Sequence, residues 1–164
     1  MTFQFPRMNF VFAAVLVSAL ALFSAGASAE GTVSGVYKGN GKPADLTQVS
    51  AYKGDPEQGK PVIVLVFSSK AQTGDPKPAS SALFGKFGDA IVARVFADGK
   101  IYSGDLVHSN LDVPGGSIQL FGGLKMAEFA AANGEIAGHL TSGGQKSMCD
   151  WTWEVDLQFK AKAP

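Results

Sequence analysis

Apolar and polar residues alternate without a break from Trp151 through Trp153, Val155, Leu157 and Phe159 to Lys160. Successive side chains on a strand point to opposite faces, so the segment predicts a β-strand with those five large groups in a core. Thr152, Glu154, Asp156, Gln158 and Lys160 then face water. Pro61 to Phe67 is instead apolar at both parities and rich in β-branched residues. That pattern suits a strand covered on both faces and placed centrally in its sheet.

Two hairpins follow from turn chemistry. Ile91 to Ala97 and Lys100 to Val107 flank Asp98-Gly99, a dipeptide that accepts the positive φ angles of a type I′ turn. Asn133-Gly134 gives the same signal between Leu124 to Phe129 and Glu135 to Thr141. A short helix over Met126 to Ala132 competes with the first arm of this second hairpin, because Ala and Met favour helices. Val33 to Tyr37 and Leu46 to Tyr52 read as weaker strands around the turn-rich Lys38 to Pro43, and Ser68 to Ser81 as a long mobile loop.

Short apolar runs separated by Gly, Pro, Asn and Asp recur about every 8 to 12 residues, and helical periodicity is weak. The expected fold is therefore all-β: a single-domain antiparallel β-sandwich, with a small β-barrel as the alternative and room for one short helix. About eight or nine strands of ordinary length fit the chain, and no linker marks a second domain.

The first 29 residues have a different character. Arg7 precedes an apolar run from Phe10 to Phe23 broken only by Ser18, and Ala27-Ser28-Ala29 offers small residues at −3 and −1. This is the layout of a cleaved secretory signal peptide, residues 1–29, with the cut before Glu30. The run is shorter than the roughly 20 residues that span a bilayer and lacks a basic stop-transfer flank, so an anchor is the weaker reading. The expected product is one β-rich domain, residues 30–164, in the bacterial periplasm or secreted, with no membrane anchor after cleavage.

Charge narrows the partners. Losing Arg7 leaves 13 basic residues against 14 acidic ones, a formal charge of −1. With no cluster of Lys and Arg there is no electrostatic footprint for nucleic acid or an anionic membrane. The single Cys149 has no partner for an internal disulfide. Continuing the Trp151 parity backwards puts it on the apolar face, as a buried small hydrophobe.

Candidate chemistry is sparse. Gly54 to Lys60 has the spacing of a phosphate-binding loop, yet Pro61 stands where Ser or Thr would hold magnesium and a strand follows where a helix should begin. A Gly/Pro turn before a central strand is the better reading. His108, His139, Met126, Met148 and Cys149 are soft-metal ligand types without ligand spacing. His139 shares the parity opposite Ile136 and Leu140 and should face solvent; His108 lies near a strand end, partly buried. Asp150, Glu154 and Asp156 share the outward face of the last strand near Glu135, where calcium binding or acid/base work competes with a plain solvated face. No G-x-S-x-G elbow is present, and Cys149 has no motif pairing it with a His. Tyr37, Tyr52 and Phe121 sit near turns, where a ring either stacks on a sugar or partner or closes the edge of the core.

Three patches, Gly35 to Tyr52 with its Asn40-Gly41-Lys42-Pro43-Ala44-Asp45-Leu46 turn, Ile136 to Thr141, and Trp153 to Phe159, resemble a recurring pattern in an uncharacterised family of exported bacterial proteins. The resemblance implies an exported β-rich domain and brings no activity or catalytic residues. The expectation is a non-enzymatic binding or interaction module of unknown partner, with no catalytic, cofactor or metal site. A periplasmic small-ligand carrier is the alternative and an exported hydrolase a distant third.

Overall fold

A computed structural model describes residues 31–112 and 116–164. The proposed signal peptide and its cleavage point lie outside the described residues. The described residues form eleven strands and one helix: β1 Thr32–Gly39, β2 Lys42–Pro43, β3 Gln48–Glu57, β4 Lys60–Ser68, α1 Pro78–Leu83, β5 Ala90–Phe96, β6 Ile101–Val107, β7 Ile118–Leu120, β8 Lys125–Ala132, β9 Glu135–Thr141, β10 Lys146–Met148 and β11 Trp151–Lys162. They make two antiparallel sheets, one five-stranded in the order β3-β4-β5-β6-β7 and one in the order β2-β1-β11-β9-β8 with β10 also pairing β11. Neither path returns to its own start, so the architecture is the sandwich and not the alternative barrel. A backbone bridge between Gly31 and Val49 ties the start of β1 to the edge strand β3.

Parity decides which faces meet. On β11, Trp153, Val155, Leu157, Phe159 and Ala161 are buried while Asp156, Gln158, Lys160 and Lys162 are exposed. The inward residues pack with Leu65, Phe67, Ile91, Val95 and Leu106 of the other sheet to form the main core. Phe67 and Phe159 meet edge to face with centroids 5.2 Å apart. β4 is buried on both sides for a definite reason: Leu65 and Phe67 enter the main core, whereas Val62, Val64 and Val66 form a second cluster with Val92, Phe96, Ala79 and Ala82. The helix α1 lies over that outer face, with Pro78 in its first turn where the missing N–H costs nothing.

Three expectations change, and one open choice closes. Met126 to Ala132 takes the strand arm of the hairpin and not the competing helix, pairing with β9 through a register shift between Ala127 and Ala130, where Glu128 takes φ 53°. The bulge brings Met126 and Phe129, three residues apart, against the same core. Ser68 to Ser81 is no free loop. Pro78 to Ser81 belong to α1, and buried Gln72 donates to the Val66 carbonyl at 2.9 Å and accepts from Ser50 at 2.6 Å. At Asp98-Gly99 only Gly99 has positive φ, and the Asp98 carboxylate caps the Lys100 N–H at 3.0 Å. That turn is not type I′; Asn133-Gly134, with φ 53° and 77°, has positive φ at both positions. Cys149 is exposed, because the strand stops at Met148 and restarts at Trp151, leaving Cys149 in the connecting turn at φ 52°.

Candidate functional site

The soft-metal residues do not converge. Met126 packs on the main core beside Gly138, Cys149 sits at a turn, and His139 lies on the outward face of β9 against Asp156 at 2.5 Å. Among the described residues no group of three or more His, Cys, Asp or Glu is placed to hold a metal ion. The acidic face is cross-linked to basic neighbours: Glu154 to Lys38 at 3.0 Å and Glu135 to Lys160 at 2.7 Å. These are solvated cross-strand pairs, each worth less than about 1 kcal/mol. Gly54 to Lys60 is the tip of the β3–β4 hairpin, with Glu57 opposite Lys60 and positive φ at Gln58 and Gly59.

Of the three aromatic candidates, Tyr37 is core: it is 1% exposed and donates its hydroxyl to the Val107 carbonyl at 3.0 Å. Tyr52 and Phe121 behave otherwise. Both line an open groove of about 590 Å³ on the outer face of the five-stranded sheet, within the range of small-ligand sites.

Register assembles this groove. Tyr52 on β3 lies opposite Val64 on β4, Val64 opposite Arg94 on β5, and Arg94 opposite Ser103 on β6, so one transverse row carries all four. A bulge in β6 then adds a ring. Arg94 pairs with Ser103 but Val95 with Ile101, which leaves Tyr102 as the extra residue and turns Tyr102 and Ser103 toward the same side. Val62 and Val64 make an apolar floor, Ala79 of α1 supplies a wall, and Gln119 and Phe121 close the far edge. Phe121 is 79% exposed at the rim.

Polar groups in the groove are held in place. Arg94 Nη1 donates to Asp105 Oδ2 at 2.6 Å and to the Ser103 hydroxyl at 3.4 Å, with the Asp105 side chain only 6% exposed and that of Arg94 27%. The Tyr52 hydroxyl accepts from the Ala79 N–H at 3.3 Å. Burial raises the Tyr52 pKa, against smaller opposing effects of that N–H and of Arg94; the hydrogen bond to Glu57 raises that of Tyr102. Both phenols therefore stay protonated at neutral pH and offer uncharged donors and acceptors. Arg94 and Tyr102 escape reading by parity alone. The available signal was a single charge, Arg94, inside the otherwise apolar Ile91 to Ala97.

A second polar feature lies between the sheets. His108 is 3% exposed, more deeply buried than its strand-end position suggests, and stacks edge-on to Tyr37 at 5.0 Å. Its ring lies on Gly39, where any Cβ would come within 2.6 Å of it. Nδ1 accepts from the Asn110 N–H at 3.0 Å, and Nε2 is buried without a hydrogen-bond partner. Burial lowers the His108 pKa below 6.5, outweighing Asp89 and the Lys42 backbone, which act the other way. The unfolded chain then takes up a proton near pH 6.5 that the folded one refuses, so stability is full above that pH and falls as the pH drops below it. Urea midpoints should therefore fall from pH 7.5 through 6.5 to 5.5. His108→Phe should flatten the profile, and an unchanged slope in that variant would show that another group is responsible.

No family model, no curated protein sequence and no solved structure matches the chain.

Proposed function

We propose that this chain is an exported, non-enzymatic binding module of the bacterial periplasm or exterior, and that it takes its ligand in the outer groove of the five-stranded sheet. One observation carries the reading: Tyr52, Arg94, Tyr102 and the exposed Phe121 come from four separate segments into one groove. A large exposed ring is unfavourable in water, and a fixed row of polar groups beside it is what orients a bound molecule. Support against a carrier with an internal ligand comes from the space between the sheets, which Trp153, Phe67, Phe159 and Leu65 fill. The carboxylates favour binding over catalysis, since Asp105 is committed to Arg94 and Asp156 to His139.

The test follows the full-length chain through export. The released form should begin at Glu30, and a native envelope extract should protect Tyr52, Tyr102 and Phe121 from hydroxyl-radical oxidation. Retention of an uncut chain in the cytoplasm, or oxidation of the three rings unchanged by extract, would overturn the proposal.

A further inference from the structure

The geometry points to a neutral saccharide chain as the ligand of this groove, an inference that rests on the groove being the binding site. Charge comes first. Lys53, Asp55, Glu57 and Arg94 line the groove, and Asp105 lies directly behind Arg94, so two positive charges meet three negative ones. An anionic ligand would face a net negative surface whose one central cation is already paired at 2.6 Å. A cationic ligand would have to sit on the Arg94 guanidinium. What the balance accepts is an uncharged molecule.

Shape and chemistry narrow it further. The lining reaches from Tyr52 on the edge strand β3 to Phe121, just past the opposite edge strand β7. With neighbouring strands about 4.8 Å apart, four intervals give a path of about 19 Å. An extended molecule uses that length better than a compact one. Rings stand near both ends of the path, and a ring face attracts the weakly positive C–H edges of a pyranose. Between them, Arg94 donates from Nη1 to Asp105 and Ser103, and among the described residues its other N–H donors make no hydrogen bond. Ser103 and Gln119 add hydroxyl and amide groups beside it. An apolar surface flanked by paired donors and acceptors matches a sugar, whose hydroxyls ring an apolar face.

The test separates this inference from the reading beneath it. Envelope extract is divided, one half is oxidised with periodate to cleave vicinal diols and then quenched, and each half is footprinted on the wild-type chain at matched radical dose. Untreated extract should protect Tyr52 and Phe121, and periodate should abolish the protection by a chain with vicinal diols, such as a 1,4-linked glucan, while sparing that by a 1,4-linked N-acetylglucosamine chain. Neutral hexaoses of glucose and N-acetylglucosamine are titrated alongside inorganic phosphate and choline. Phe121→Ala, at a position too exposed to be needed for folding, should require about tenfold more untreated extract for half-protection of Tyr52. Protection that survives periodate together with no binding of either hexaose, or stronger binding of phosphate or choline than of both hexaoses, overturns the saccharide assignment and leaves the groove as the site. Absence of protection by either half overturns both.

Discussion

Replacing Phe67 by Ala should destabilise the protein by about 4 kcal/mol, a large share of the roughly 5 to 15 kcal/mol by which domains of this size are stable. Phe67 is fully buried in β4 and its ring meets Phe159 of the opposite sheet at 87°. The loss combines the transfer of the ring to water with a cavity that the flanking strands are too constrained to close. Ile63, on the same strand and face but only half-buried, should lose less on truncation to Ala. Urea midpoints of the two variants provide the check. Equal losses would mean that the two sheets close over position 67 more freely than their packing implies.

The Arg94–Asp105 pair should respond asymmetrically. Arg94→Ala removes the cation from the Asp105 carboxylate, which is 6% exposed while paired, and should cost about 3 kcal/mol. Asp105→Asn retains a hydrogen-bonding group and leaves a guanidinium that already reaches solvent, with a side chain 27% exposed. It should cost about 1 kcal/mol. Thermal or urea unfolding of both variants at neutral pH decides the matter, and a larger loss in Asp105→Asn would reverse the order of burial argued for this pair.

Where residues repeat with period two, the fold could be read from the chain: β11 buries the positions that Trp153 to Phe159 assign inward, and β4 is covered on both faces as its composition requires. Reading became ambiguous or failed where an extra residue broke the period. The bulge at Glu128 spaces Met126 and Phe129 by three on one face, which kept a helix open beside the strand, and the turn at Cys149 interrupts the parity that seemed to bury it. The groove was only half legible for the same reason. Tyr52 and Phe121 stand out as rings near turns, but their meeting with Arg94 depends on a register across four strands, and Tyr102 joins them through another bulge. Registers of this kind are set by the packing of distant segments, which local pattern does not encode.

The pairing of β1 with β11 carries a consequence for how the molecule is made. Thr32 lies opposite Lys160, and β11 also binds β9 and β10, so the second sheet has no middle until β11 is in place. Contacts this remote in sequence form slowly, because the intervening chain must first be brought together. A polypeptide whose synthesis has not reached β11 is therefore held short of its final form by topology alone. Such a delay fits the export proposed for this chain, since a polypeptide must stay unfolded to pass through a narrow translocation channel.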